Sequence, residues 1–477
     1  MYEYFFAREN LCIFAFSKKV RMIKKDLLLF LVYLSIGFSV QAASSMMFRI
    51  SFTDKRGTMG SLEHPENFLS MKSLERRQKQ QLMLDSTDLP VSQVYIKEVL
   101  CRGARLVTMS KWNNTIVVEV KSDMPVEKLQ RLPFVSAVKK VWTSSDIAPV
   151  YDADRKKKVL GKGKRQKSSY GVGLAQLAIH KGECLHKADY RGEGIEIAVI
   201  DAGFQNVDAI GVFKKMHLKG TRDFVNPHSD IFAEHNHGTK VLSCMAANEP
   251  HVMVGSAPEA SYWLLRSEDD YTEQPVEEDY WVAAAEYADS LGVDIVNTSL
   301  GYYEFDDPEA NYTYRELDGH TSPMSVAASL MAGKGMVLVC SAGNSGKESW
   351  KKITPPADAV NILSVGAVNV DGINADFSSI GNTADNRIKP DIMSVGFNAS
   401  VVSENGIPSY AHGTSFAAPV FCGLVACLWQ ACPWLTAMQL IKLIQQSADK
   451  ADFPDNIFGY GVPDVWKCYQ EAIKLKK

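Results

Sequence analysis

From Gly171 onward, short apolar runs alternate with longer segments in which apolar residues recur at helical spacing. This alternation predicts βαβ units, in which helices cover both faces of a mostly parallel sheet. Such sheets carry functional groups at the carboxyl ends of their strands and in the loops that follow. The predicted strands are 195–200, 294–298, 336–340 and 362–365, and the predicted helices are 239–247, 280–291, 324–332, 416–432 and 436–447.

Residues 47–142 have a different pattern, which predicts a small α+β unit. Two strands with alternating polar and apolar residues flank the pair Asn113-Asn114, and this arrangement predicts a hairpin. About a hundred residues suffice for an independent fold. The predicted strands are 47–52, 105–110, 115–121 and 135–142, and the predicted helices are 70–84 and 126–132.

A signal peptide is predicted at residues 1–42. Five basic residues between Lys18 and Lys25 precede the apolar run 27–40, which ends in Val40-Gln41-Ala42. The run is shorter than the roughly 20 residues that cross a bilayer, so we expect export to the periplasm or exterior and no stable membrane anchor.

A basic linker is predicted at 151–170, where the apolar pattern stops. An exposed basic tether is a target for proteases, although such a run is also consistent with a solvated segment or an anion-binding patch. The predicted division of the chain is therefore 1–42, 43–150, 151–170 and 171–477. The basic residues are Arg155, Lys156, Lys157, Lys158, Lys162, Lys164, Arg165 and Lys167.

Composition narrows the possible functions. The 477 residues are 46% apolar and carry a net charge of −3, which gives no global reason to expect nucleic acid as a partner. Nine cysteines without a Cys-x-x-Cys pair indicate neither a disulfide framework nor a zinc site. Only His235 accompanies His237 among potential metal ligands there, so no metal is predicted at these residues.

Four polar residues lie at strand ends or before helices, the positions at which a parallel sheet carries its functional groups. Asp201 ends a predicted strand, Asn344 follows another, and His237 and Ser415 each precede an apolar helix. A helix start disfavours imidazolium, so we expect His237 to be neutral and able to accept a proton. Backbone N–H groups beside Ser415 are placed to stabilise an oxyanion. The segments are IAVIDAG (197–203), HGT (237–239), SAGNSG (341–346) and GTSFAAP (413–419).

Each of these residues also has a purely structural explanation. Asp201 can cap a turn, Asn344 can be a buried turn residue and Ser415 can cap a helix. The small residues around Ser415 argue against capping alone, because they leave room for a substrate backbone. Pro419 is expected in the first helical turn, where its missing N–H costs nothing.

Together the four segments resemble the subtilisin-like serine proteases, in that family's order of Asp, His, Asn and Ser, over about residues 170–470. The resemblance implies a secreted serine endopeptidase that forms an acyl-enzyme intermediate, requires no cofactor and acts on polypeptides. It implies that Ser415 attacks the scissile carbonyl, that His237 transfers the proton and that Asp201 orients His237. Asn344 and the Ser415 N–H would bind the oxyanion.

The same resemblance implies where a substrate lies. The extended substrate would pair with the edge strand at 297–301 and border the primary specificity pocket. Ala202, Lys240 and His412 depart from the family pattern, and Ala202 removes a hydroxyl that helps to fix the aspartate. The implied substrate-binding residues are Ser299, Leu300, Gly301, Ala342 and Gly343.

The 47–142 unit resembles, more loosely, the inhibitory propeptide of secreted members of this family; the alternative is an accessory domain. The acidic residues of 268–279 are explained mainly by the helix predicted to start near Tyr280, with a subsite for basic substrate residues as a second role. Calcium often stabilises this family, but the sequence places no calcium site.

Two functions are alternatives to a serine endopeptidase. A dinucleotide-binding oxidoreductase needs a glycine-rich loop after its first strand, whereas Gly192 and Gly194 precede the strand 195–200. The second is a catalytically silent relative that acts as a binding module. Such a relative would be free to lose at least one of the four chemical residues, and all four are present.

Overall fold

A computed structural model describes residues 45–121, 125–144, 161 and 163–476. The predicted signal peptide and most of the basic linker lie outside the described residues. Residues 46–477 are grouped as one compact unit, and the N-terminal and C-terminal parts discussed below both belong to it.

A seven-stranded parallel sheet forms the centre of the C-terminal part, in the order β13-β12-β11-β10-β5-β9-β6. The predicted fold class is confirmed, and the four predicted strands match within three residues. The strands are β5 (Glu196–Asp201), β6 (His217–Asp223), β9 (Ser261–Arg266), β10 (Ile295–Thr298), β11 (Val337–Ser341), β12 (Leu363–Val368) and β13 (Ile392–Val395), with β7 (Asn248–Glu249) and β8 (Met253–Val254) paired in one ribbon and β14 (Ala399–Val402) and β15 (Pro408–Ala411) in another.

Helices cover both faces of this sheet because its strands are apolar on both sides. In β5, Ile197 and Val199 belong to one buried core, while Ala198 and Ile200 belong to another. A continuous apolar run is what two-sided burial requires. Sequence analysis missed three strands of this sheet: the partly exposed polar edge strand β6, β9 with its mixed pattern, and the four-residue β13. It also missed the short strands of the two ribbons.

The five helices predicted for the C-terminal part are all present, and three others were not predicted: two short helices near residue 180 and the helix Val465–Leu475. The helix that carries Ser415 is long and apolar enough to cross a membrane, but 94% of its apolar window is buried in the protein, as in a core helix. The helices are Leu174–Ala178, Gly182–Lys187, His237–Ala246, Val276–Leu291, Pro323–Leu330, Thr414–Ala431, Ala437–Ser447 and Val465–Leu475.

The N-terminal part is a four-stranded sheet in the order β2-β3-β1-β4 with helices beside it, as predicted. The hairpin turns at Asn114, whose positive φ of 54° asparagine tolerates well. The helix predicted over 70–84 ends early, because Gln81 has a positive φ. The strands are β1 (Ser45–Phe52), β2 (Arg105–Ser110), β3 (Thr115–Lys121) and β4 (Val135–Thr143), and the helices are Met71–Lys79, Gln93–Leu100 (not predicted) and Glu127–Gln130.

This N-terminal sheet docks on the helix Val276–Leu291 through buried polar groups. Glu286 of that helix accepts hydrogen bonds from the Ser110 hydroxyl at 2.6 Å and from the backbone N–H groups of Lys111 and Trp112 at 2.9 Å. Arg49 of β1 pairs with Asp279 at 2.6 Å. Because the helix begins at Val276, the last three acidic residues of 268–279 (Glu277, Glu278 and Asp279) lie within its first turn, whereas the other four precede it.

Candidate active site

Asp201 and His237 form a hydrogen-bonded pair at the carboxyl end of β5. Asp201 Oδ1 accepts from His237 Nδ1 at 2.8 Å and from the backbone N–H of Ala202 at 2.8 Å. Asp201 is fully buried, and its Oδ2 has no hydrogen-bond partner among the described residues. The backbone donor is therefore present, whereas no side-chain hydroxyl replaces the one that Ala202 lacks.

The electrostatics of His237 differ from the sequence expectation. Burial lowers the pKa of His237, but the charge of Asp201, the Asp201 hydrogen bond and the charge of Glu268 outweigh it and raise the pKa overall. His237 is the first residue of its helix, as predicted, yet the neighbouring carboxylates exceed the effect of the helix start. The expected direction of the pKa shift was therefore wrong, whereas the neutral, proton-accepting ring stays a prediction.

Ser415 lies in the first turn of the helix Thr414–Ala431. Pro419 is the sixth residue of this helix and not in its first turn, so the predicted position of the proline was wrong. Because Pro419 has no N–H, the carbonyl of Ser415, four residues earlier, has no helical donor. Ser299 Oγ donates to that carbonyl at 2.8 Å, and Ser415 Oγ donates to the Ser299 carbonyl at 3.3 Å.

Asn344 follows β11 and faces the same helix start. Its Oδ1 accepts from the backbone N–H of Thr414 at 2.8 Å and from Thr414 Oγ1 at 3.0 Å. These two donors fix the orientation of the amide, so Nδ2 is the group left to donate elsewhere. Nδ2 lies beside Gly413, where an added Cβ would be 3.7 Å away.

A cleft of about 300 Å³ brings these residues together. His237, Ser415 and Asn344 line it, together with Ser299, Leu300, Gly301 and Gly343 from the predicted substrate-binding set. Asp201 lies behind His237, and Ala342 is fully buried and does not line the cleft. Ser341 and Ser345 of the segment 341–346 also line it, as do Tyr302, Tyr303 and Thr354, which sequence analysis did not single out.

No hydrogen bond joins Ser415 to His237 in the described part of the chain. The ring of His237 instead lies beside Phe416, with ring centroids 5.8 Å apart. A hydrogen bond between a catalytic serine and histidine is often long in a free enzyme and shortens when substrate binds. Among residues 45–121, 125–144, 161 and 163–476, no group of three or more potential ligands is placed to hold a metal ion.

Comparison with known proteins places this geometry in a family. A model of the Subtilase family matches residues 192–461, more than half of the chain. A model described as the S8 peptidase propeptide domain of Bacteroidota matches residues 47–158.

Individual relatives are more distant. Subtilisin NAT of Bacillus subtilis subsp. natto is 28% identical over 300 residues, which cover 61% of this chain and 69% of that protein. The thermophilic serine proteinase of Bacillus sp. (strain AK1) is 31% identical over 272 residues, which cover 56% and 60%. The structure of MycP3 protease from the type VII (ESX-3) secretion system is 20% identical with a TM-score of 0.51, covering 66% of this chain and 92% of that one, which shows a shared fold.

Proposed function

Since this chain belongs to the subtilase family and is therefore a serine peptidase, we propose that it is an exported endopeptidase, made as a precursor, that uses Asp201, His237 and Ser415 as a catalytic triad. The observation that carries the proposal is the 2.8 Å hydrogen bond between Asp201 and His237 beside a cleft that His237 shares with Ser415. The predicted signal peptide supports export.

The triad divides the reaction into two steps. Asp201 engages Nδ1 of His237, so Nε2 is the nitrogen that takes the Ser415 proton while Oγ bonds to the substrate carbonyl carbon. The C–N bond of the tetrahedral intermediate then breaks, and His237 gives its proton to the leaving amine. Water, activated by the same imidazole, hydrolyses the acyl-enzyme.

Asn344 is proposed to stabilise the oxyanion together with the backbone N–H of Ser415. The two hydrogen bonds from Thr414 hold Oδ1, which leaves Nδ2 to donate. An amide carries no charge, so it stabilises the developing charge without lowering the basicity of His237. The first-turn N–H groups of a helix have no intrahelical acceptor and are available for the same purpose.

The floor and walls of the cleft are proposed to hold the polypeptide substrate. Ser299 is fixed at the cleft by its two hydrogen bonds with Ser415, and Leu300 and Gly301 follow it along the wall. On the other side Gly343 has a φ of 107°, and a Cβ there would lie 2.8 Å from Ser379 Oγ. Glycine therefore suits this position because of its positive φ and its close packing against Ser379, and its backbone forms this side of the cleft.

The N-terminal part is proposed to inhibit the enzyme until it is cleaved off. The side chain of Gln274 accepts from the backbone N–H of Thr143 at 2.8 Å and donates to the Thr143 carbonyl at 3.2 Å. Gln274 directly follows Glu273, which lines the cleft. The chain therefore leaves β4 beside the cleft wall, from which its next residues can reach the active site.

Reaction with an organofluorophosphonate tests this function. We expect the processed wild-type protein to be labelled on Ser415, as located by peptide mass spectrometry, and to hydrolyse an unfolded protein such as casein. Absence of both labelling and hydrolysis would contradict peptidase activity and favour a silent binding module. Labelling at another serine would contradict the assignment of the nucleophile.

The pH dependence of kcat/KM tests the electrostatics of His237. The neutral ring is the base, and its pKa is raised above 6.5, so activity should rise with pH through a midpoint above 6.5. The pKa of the neighbouring His235 is lowered, mainly by burial, so His235→Gln should keep this limb in place. A midpoint at or below 6.5, or one that moves with His235→Gln, would refute the assignment.

A further inference from the structure

Two carboxylates in the candidate active-site cleft lack a side-chain partner among the residues that the structure describes. Glu268 and Glu273 line the same cleft as His237 and Ser415. Within the described residues, no side-chain hydrogen bond or ion pair is made by either carboxylate. A partly buried carboxylate is costly to ionise unless a cation or a hydrogen-bond donor pairs with it, so these two groups are suited to a positively charged ligand in the cleft.

Neighbouring carboxylates of the same segment show the contrast. Glu277 accepts from the backbone N–H groups of Gln274 at 2.9 Å and Asp269 at 3.1 Å. Glu278 accepts from the hydroxyl groups of Tyr312 at 2.6 Å and Ser322 at 2.7 Å. Capping and packing therefore account for Glu277 and Glu278 but leave Glu268 and Glu273 unexplained.

The pKa values of both carboxylates are raised. Burial, followed by the charges of Glu273, Asp201 and Asp270, raises the pKa of Glu268 to about 8, although His237 acts in the opposite direction. Burial and the charge of Asp306 raise the pKa of Glu273 to about 7. A bound cation would restore the ionised form of both.

Tyr302 supplies an independent observation. This residue lines the cleft and is only 2% exposed, and its hydroxyl has no hydrogen-bond partner among the described residues. The charge of Glu268 acts on it more strongly than that of any other carboxylate. A buried hydroxyl without a partner is costly unless a ligand completes its hydrogen bonding.

We propose that Glu268, Glu273 and Tyr302 form a subsite that binds the cationic side chain of a lysine or arginine residue of the substrate, close to the scissile bond. An ammonium group carries three donors and a guanidinium five, enough to serve both carboxylates and the phenol oxygen. This inference rests on the proposed function, since it assigns the substrate class of the same cleft.

The chain itself contains a segment with matching charge. Thr143, at the end of β4, is held by Gln274 next to Glu273. Further along the chain stand the consecutive basic residues of 155–158. An acidic subsite would favour cleavage of this segment, so the precursor's own linker is the first substrate with the required chemistry.

The test compares matched fluorogenic peptides that carry either Lys or Gln at one of the four positions before the scissile bond. At one position we expect wild-type protein, after its processing, to prefer Lys by about tenfold or more in kcat/KM. Glu268→Gln and Glu273→Gln should each reduce this Lys/Gln ratio several-fold. Any change that a substitution causes in the pKa of His237 affects both peptides equally and therefore does not change the ratio. Glu304→Gln, an exposed carboxylate that does not line the cleft, is the control and should keep the ratio.

The possible results separate the two proposals. Hydrolysis of the Gln peptides with no preference for Lys at any of the four positions would overturn the subsite while leaving the peptidase intact. A preference that survives both glutamate substitutions would also overturn it. Should a variant fail to fold, the cut sites that wild-type protein makes in a denatured protein decide: Lys or Arg enriched at one position supports the subsite, and no enrichment refutes it. Absence of hydrolysis and of fluorophosphonate labelling would instead refute the proposed function.

Discussion

Ser415→Ala should leave the chain uncut when it is expressed from Ala43, whereas the wild-type chain should begin between about residues 150 and 173. The reason is that removal of Oγ abolishes the nucleophile, for which we expect a loss of at least about 10⁴-fold in kcat. The alanine fits the same space, so the fold should persist. Intact mass and N-terminal sequencing measure the outcome.

The control for this experiment is Ser409→Ala, in the strand β15 away from the cleft, which should be processed like wild type. Processing of Ser415→Ala in a purified preparation would show that the cut needs no activity of this chain. If neither wild type nor Ser415→Ala is cut, self-processing is refuted, and the fluorophosphonate reaction then decides whether the wild-type chain is catalytically active.

Asp289→Asn, made in the uncleaved Ser415→Ala chain, should strongly weaken the docking of the N-terminal part. Asp289 is fully buried on the helix Val276–Leu291 and pairs with Arg76 at 2.5 Å, Arg77 at 2.9 Å and Lys111 at 3.4 Å. The neutral amide would leave these buried cations short of negative charge. Breaking a buried ion pair from one side typically costs about 3–5 kcal/mol, and we expect a fall of that order in the free energy of unfolding of the precursor.

Urea unfolding of the precursor measures this fall, with Asp371→Asn at an exposed turn as the control for loss of one carboxylate. Burial opposes ionisation of Asp289, but Lys111, Arg76 and Arg77 lower its pKa to about 2. Its contribution to stability is therefore present above pH 3.8 and is lost as the pH falls towards 2. A precursor as stable with Asp289→Asn as with Asp371→Asn would refute the role of this ion-pair cluster.

The two experiments address the candidate triad, which the sequence predicts, and the contact between the N-terminal part and the helix Val276–Leu291, which it does not. The candidate triad depends on local signals: a strand that ends in Asp201 and two helices that begin at or near His237 and Ser415. Such signals survive in a single sequence because strand ends and helix starts leave short-range patterns. The docking surface has no such signal, since Asp289 and Arg76 are more than two hundred residues apart.

In the cleft, too, the sequence shows which residues are present but not which of them interact. Glu268 and Glu273 were noticed as part of an acidic run, but their sequence neighbours Glu277 and Glu278 have the same charge and only the structure separates paired from unpaired carboxylates. Similarly, the hydrogen bond from Ser299 Oγ to the Ser415 carbonyl depends on the position of Pro419 within its helix, which leaves that carbonyl without a helical donor.

Periodicity and the residues next to one another along the chain are enough to predict the fold class, the small α+β unit before it and the order of the four candidate chemical residues. Three properties emerge only from the three-dimensional arrangement: which of the described carboxylates lack partners, why the pKa of His237 is raised and how the N-terminal part is held. These properties depend on burial and on distances between residues far apart in the chain, and free energies of desolvation and charge pairing are set by those distances.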